Sequence, residues 1–302
     1  MVDTRDIQAI MSFFQSRDGT QIHERTWPPA EGAGKAVATV LILHGYGEHI
    51  GRYDETARKL ADAGFSVRGI DLRGHGQSGG VRGYCNKFDE YIDDVEQAVT
   101  RARAEGLPLF ILGHSFGALI APLFALRFHE MLAGLVLTSP FWKLALPVPP
   151  AKVLAGKIAS RIYPKLALPA GLKGADVARD PEIAALYDRD PLNNKNATAR
   201  WFTESSTAQE MVLARAPELE LPILLIVGEA DRIASAPQAR IVFDRIGSSD
   251  KTLRMMTGQF HEVLNERPAE REKTVAEIVE WLRAHAAKSA GTTEGKLHVR
   301  NA

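Results

Sequence analysis

One pattern restricts the fold of this chain more than any other. Six short apolar runs, VATVLILHG (37–45), FSVRGIDL (65–72), PLFILGH (108–114), LAGLVLTSP (132–140), PILLIVGEAD (222–231) and KTLRMMTG (251–258), are separated by longer stretches of helical period. Runs that stay apolar on both alternating faces fit strands covered from both sides. Between them Phe88, Tyr91, Ile92, Val95 and Val99 recur at three- and four-residue spacing, the mark of an amphipathic helix. Residues 51–63, 116–129, 238–245 and 269–286 read the same way. Such alternation predicts an α/β fold with a mostly parallel, doubly wound sheet and right-handed crossovers. Residues 12–26 carry Asp18-Gly19 at their centre, a hairpin signal, so an antiparallel pair is expected to open the sheet.

Residues 141–196 break the alternation. They contain Pro147, Pro149, Pro150, Pro164, Pro169, Pro181 and Pro191 and no clear strand. They are expected to form a helical cap inserted after the sixth strand, at the carboxyl ends of the strands, where open α/β sheets bind ligands. The predicted division is therefore a core of residues 1–140 and 197–287, a cap of 141–196, and a small, polar, flexible tail of 288–302.

Chemistry enters at Gly113-His114-Ser115-Phe116-Gly117, which follows the strand PLFIL and precedes the helical run GALIAPLFALRFH. A serine on a sharp strand-to-helix turn, flanked by glycines where a β-carbon would clash, is the nucleophile elbow G-x-S-x-G. A serine hydroxyl is a weak nucleophile until an oriented base takes its proton. On this kind of sheet the acid and then the base follow the serine in the chain. Asp231 ends an apolar strand and is the expected acid. Beyond it lie only three histidines, His261, His285 and His298. His285 falls in the last helical run and His298 in the tail, so His261 is the expected base, with Glu262 beside it a loop or solvent contact. Two backbone N–H groups should hold the developing oxyanion, that of Phe116 after the nucleophile and that of Tyr46 in the loop His44-Gly45-Tyr46-Gly47. His44 is expected to brace that loop, and Asp71 to tie its neighbour.

Composition narrows the function further. The chain has 302 residues, 37 basic against 37 acidic, and a formal net charge of zero, so nothing selects nucleic acid as a partner. A single cysteine, Cys85, permits neither an internal disulfide nor a thiolate metal site. His49, His75 and His114 lack the spacing of a zinc motif, so no metal and no cofactor are expected. No apolar run is long enough to span a bilayer and the start does not read as a signal peptide. A cytoplasmic protein is expected.

Five segments, HGYGEHIGRY (44–53), DLRGHGQSGG (71–80), GHSFG (113–117), VGEADRI (227–233) and QFHEVLNE (259–266), together resemble the monoacylglycerol lipase and lysophospholipase-like branch of the α/β-hydrolases, across about residues 12–286. The resemblance implies an α/β-hydrolase fold and hydrolysis of a mono-acyl lipid or similar small ester without a cofactor. It also implies Glu48 and Arg52 at the polar end of the pocket, where a loop salt bridge is the competing reading. It implies a cap whose apolar face, with Phe141, Trp142, Leu144 and Leu146, accepts the acyl chain and touches membranes transiently. Tyr46 departs from the mammalian pattern, which commonly has a small residue there. The competing readings are a small-ester esterase, an aminopeptidase of the same fold, an acyltransferase that excludes water, and a ligand-binding receptor on a hydrolase scaffold. Halide and epoxide chemistry on this fold uses an aspartate nucleophile, which Ser115 argues against.

Overall fold

All six apolar runs become strands of one eight-stranded sheet. The computed structural model describes residues 9–30, 32 and 34–300, with side chains through residue 289. In chain order the elements are β1 (Ile10–Gln15), β2 (Gln21–Trp27), β3 (Thr39–Leu43), α1 (Asp54–Asp62), β4 (Ser66–Ile70), α2 (Asp89–Arg103), β5 (Leu109–His114), α3 (Gly117–Phe128) and β6 (Gly134–Thr138). There follow α4 (Pro150–Ile162), β7 (Ala167–Pro169), α5 (Gly174–Val177), α6 (Pro181–Arg189), β8 (Asn196–Thr198), α7 (Ala199–Arg215), β9 (Ile223–Gly228), α8 (Ala236–Arg245), β10 (Lys251–Met256) and α9 (Pro268–Arg300).

The sheet order is β1-β2-β4-β3-β5-β6-β9-β10. β1 and β2 pair antiparallel around a turn in which Gly19 has φ 82° and Asp18 Oδ1 accepts from Thr20 N at 3.0 Å, as the Asp-Gly pair predicts. β2 meets β4 antiparallel, and all pairings from β4 to β10 are parallel. Side chains alternate between two cores. Leu41, Leu43, Ile111 and Leu137 face α2 and α3, whereas Val40, Ile42, Leu112 and Val136 face α1 and α9. Both faces are thus dry, which is why these strands read as unbroken apolar runs.

The strand order reverses direction at β3. The chain runs from β3 to β4 on one side and then to β5 on the other. The loops after β3 and β5 therefore leave the same edge and diverge around a crevice, the place where such sheets bind ligands.

Between β6 and β9 the chain makes the expected excursion, with two differences from the sequence reading. It contains an antiparallel pair, β7 with β8. These strands have three residues each, too short for an alternation to register. It also continues past residue 196 into α7, which packs on α4 and on α3. At the other end, α9 runs to Arg300 where the sequence reading has a tail from 288. No proline follows Pro268 to stop the helix. Lys288 Nζ reaches Asp250 Oδ2 at 3.1 Å. Among the described residues no helix is long and apolar enough to cross a membrane.

Candidate active site

β5 delivers Ser115 at the crevice in a left-handed conformation, φ 50°. For a residue with a β-carbon this costs about 1–3 kcal/mol, and the surroundings hold it. Ser115 N donates to Thr138 O at 2.9 Å, and its carbonyl accepts from Leu119 N and Phe141 N at 3.1 and 3.0 Å. The flanking glycines are required by contact. A β-carbon at Gly117 would lie 2.1 Å from Leu43 O, and one at Gly113 would lie 2.7 Å from Gly117 O.

Asp231 and His261 come from the loops after β9 and β10. Those loops are bound together by Ala230 N donating to Gln259 O at 2.9 Å. His261 Nε2 lies 2.8 Å from Ser115 Oγ, and His261 Nδ1 lies 2.7 Å from Asp231 Oδ2. The other Asp231 oxygen accepts from Ile233 N and Ala234 N at 2.8 and 2.9 Å. All three predicted residues thus meet at one rim of the sheet. Burial would push the His261 imidazole down. The Asp231 charge and hydrogen bond, then Glu262 and Glu48, outweigh it and hold the ring above the ordinary histidine value of 6.5. His114, packed 4.9 Å from the His261 ring, is instead pushed down to about 3 by burial and by the neighbouring histidine. It donates to or accepts from Thr138 Oγ1 at 3.0 Å.

The loop after β3 closes the other side. A β-carbon on Gly45 would sit 3.2 Å from Ser115 Cβ, so only a bare α-carbon lets the backbone come this close. His44 braces the loop from below, with Nδ1 at 2.7 Å from Gly45 O and Nε2 accepting from Leu72 N at 2.9 Å. Asp71 accepts from Ile50 N and Gln77 N at 2.7 and 2.8 Å and pairs with His23. Tyr46 and Phe116, which flank Ser115, are both buried. Among the described residues their backbone N–H groups have no hydrogen-bond partner.

Tyr46 reaches into the excursion. Its hydroxyl donates to Asn196 O at 2.6 Å and its ring lies 3.7 Å from that of Trp201. Two further ties join the same pieces: Asn194 N to Gly47 O at 2.8 Å, and His49 Nε2 to Asp190 Oδ2 at 2.8 Å. Above Ser115 opens a cavity of about 570 Å³. Ser115, His261, Glu48 and Glu262 form its polar floor. Its roof is apolar, with Leu144, Val148, Ala155, Leu168, Leu172 and Phe202 among its residues.

Residues 34–268 match the serine aminopeptidase S33 family, Hydrolase_4. The chain belongs to this family. It is 34% identical over 282 residues to human monoglyceride lipase, covering 91% of this chain and 90% of that protein. It is 33% identical over 264 residues to an uncharacterised abhydrolase domain-containing protein of Dictyostelium discoideum, of whose length it spans 27%. The crystal structure of Paleococcus ferrophilus monoacylglycerol lipase superposes with a TM-score of 0.78 at 29% identity, covering 92% of this chain and 99% of that one. The fold is the α/β-hydrolase fold and the enzyme is a serine hydrolase of the carboxylesterase type.

Trp142 and Glu262 take places the sequence reading did not give them, and Arg52 takes the salt-bridge alternative rather than the head-group one. Trp142 is not in the cavity wall. It is buried, and its Nε1 donates to Ala118 O at 3.1 Å. That carbonyl is open because Pro122, four residues on in α3, has no N–H to offer it. Arg52 is also outside the wall. Its guanidinium binds Glu48 Oε2 at 2.6 Å and both oxygens of Glu262, at 2.8 Å through Nη2 and closer through Nη1, which favours the salt bridge over a head-group contact. Glu262 is buried and lines the cavity. Its one local signal in the sequence was an acid adjoining the candidate base; the pairing with Arg52 left none. Phe141 and Leu144 do line the cavity, whereas Leu146 is exposed. Among the described residues Glu48, His114 and Glu262 are the one trio of possible metal ligands, within 4.8 Å of one another. Arg52 already supplies the cation between the two carboxylates.

Proposed function

We propose that this enzyme hydrolyses carboxylic esters of mono-acyl lipids, monoacylglycerols foremost, through an acyl-enzyme on Ser115. The observation that carries the reading is Ser115 Oγ, 2.8 Å from His261 Nε2, at the floor of a cavity whose roof is apolar. His261 takes the Ser115 proton as Oγ attacks the ester carbonyl. Asp231 holds Nδ1 protonated and stabilises the imidazolium. The Tyr46 and Phe116 amides receive the oxyanion, each such donor being worth about 10²–10³ in kcat. His261 then protonates the leaving alcohol and activates water for deacylation. No step calls on a cofactor.

The acyl chain lies along the roof, with the excursion from residue 141 through α7 serving as the cap. Helix α4 also presents Leu154, Ile158 and Ile162 outward, 61%, 51% and 62% exposed, at four-residue spacing on one stripe. Lys157 and Arg161 stand beside them. This stripe supports transient contact with a lipid surface, from which a mono-acyl lipid enters the cavity. An aminopeptidase needs a free carboxylate for the substrate amine. Glu48 and Glu262 both accept from Arg52, so neither carboxylate stands unpaired for an amine, which favours the ester reading.

Initial rates of the purified chain on monoacylglycerols of increasing acyl length, p-nitrophenyl esters of the same lengths, and aminoacyl anilides test the reading. We expect monoacylglycerols of medium or long chain to give the highest kcat/KM. Faster cleavage of the anilides would replace the lipase reading with the peptidase one.

A further inference from the structure

Arg52 and Glu262 take no part in the bond changes above, yet Glu262 is buried and the Arg52 side chain only 9% exposed beside the groups that do. Glu48 Oε1 accepts from Gly45 N at 2.6 Å and from the Tyr53 hydroxyl at 2.6 Å. Its second oxygen accepts from Arg52, whose fork also grips Glu262. Glu262 accepts in addition from Asn265 Nδ2 at 2.9 Å, and its own N–H donates to Val177 O at 2.9 Å. The Tyr187 ring of the cap lies 4.8 Å from the guanidinium carbon. An unbroken chain of polar contacts therefore runs from the Gly45 amide, beside Ser115, to the residue bonded to His261.

The two ends of that chain are carried by strands that are not neighbours in the sheet. The loop bearing Gly45 and Tyr46 follows β3 and the loop bearing His261 follows β10. Strands β5, β6 and β9 lie between these two in the sheet. We propose that Arg52, held between Glu48 and Glu262, is a positioning clamp that keeps the amide-bearing loop and the histidine-bearing loop at one separation across Ser115. The inference rests on the roles given above to Tyr46 and His261. It assigns Arg52 no contact with the alcohol of the substrate, because its fork is directed to carboxylates and it lies outside the cavity wall. A planar fork bridging two acids is a task for which lysine is a poor substitute.

The charges facing His261 give a second readout. Asp231 faces it from the loop after β9, Glu262 from its own loop, Glu48 from the loop after β3, and neutral His114 from the end of β5. Arg52 offsets one of the two glutamate charges. Removing the Glu262 charge should lower the pH at which His261 loses its proton, and removing the Arg52 charge should raise it.

The test uses the full chain with Glu262→Gln, Arg52→Met and Arg52→Lys. Each is assayed on a monoacylglycerol and on a p-nitrophenyl ester of the same acyl length, which has no glycerol to bind. For the clamp, kcat falls about 10- to 100-fold on both esters alike, the scale of a small misplacement of reacting groups, while KM stays within about twofold. The rate constant for labelling by a fluorophosphonate falls in step. It is measured per folded molecule, so partial unfolding of Arg52→Met does not mask it. The acid limb of kcat/KM moves down in Glu262→Gln, up in Arg52→Met, and stays in place in Arg52→Lys while kcat still drops. An unchanged kcat on the p-nitrophenyl ester, with KM raised only for the glyceride, overturns the clamp and makes Arg52 a head-group contact. Labelling that survives Ser115→Ala sinks the catalytic reading beneath it, whereas indifferent clamp variants in an enzyme silenced by Ser115→Ala sink the clamp alone.

Discussion

The floor and the roof of the cavity are built by opposite means. On the floor each functional group is held by several directed contacts: two bonds on His261, three on Asp231, and glycines at positions 45, 113 and 117 that leave no room for a β-carbon. The roof is made of apolar side chains, aliphatic and aromatic, from α4, β7, β8, α7 and the loops between them, with outer neighbours that face solvent. Directed bonds fix positions to a fraction of an ångström, whereas apolar packing mainly fixes a volume. The chemistry should thus be intolerant of change, and the choice of acyl chain adjustable.

The sharpest way to break this contrast is at the floor. Ser115→Ala and His261→Ala should each lower kcat by about 10⁴-fold or more on long and short esters alike, and Asp231→Asn by about 10⁴-fold, with melting temperatures near wild type. A residual rate near wild type in any of them would dissolve the distinction. Gly117→Ala should prevent the elbow from forming, since its β-carbon would meet Leu43 O at 2.1 Å. A loss of more than about 4 kcal/mol of stability is expected in urea titrations. On the roof, a β-carbon at Gly156 would meet Phe202 at an ordinary 3.5 Å. Gly156→Leu should fold, narrow the acyl space, and cut kcat/KM for long-chain esters about 10-fold, with short-chain esters within about twofold. Equal losses on both would mean the roof also positions the reacting carbonyl.

The mildest expected effect concerns pH. His261 must be neutral to take the serine proton, and its folded value is raised. Activity should therefore fall toward acid with a kcat/KM midpoint above 6.5. Because this limb belongs to the floor, it should be the same for every acyl length.

The floor was also the more legible half. Ser115 announces itself by an apolar strand, a glycine on either side and a helix. Asp231 and His261 follow from strand ends and elimination. These signals are local, and the parallel sheet brings strand ends to one edge by its own topology. Glu262 was missed because its partner Arg52 is 210 positions away and no local period encodes that pairing. Trp142 looked like a pocket residue because it is a large aromatic beside Phe141. Its place follows from a missing N–H at Pro122, in a helix that reads as ordinary apolar sequence. The β7–β8 pair was invisible for want of length, and one of its strands ends in Pro169.

The ties from Tyr46, Gly47 and His49 to Asn196, Asn194 and Asp190 have a kinetic corollary. Because the roof is fastened to the very backbone that would cradle the charged oxygen, an ester too bulky for the closed chamber has to lever both apart to get in. Such a guest is admitted into a machine it has just put out of adjustment, so selectivity against it should register as slow turnover rather than weak binding.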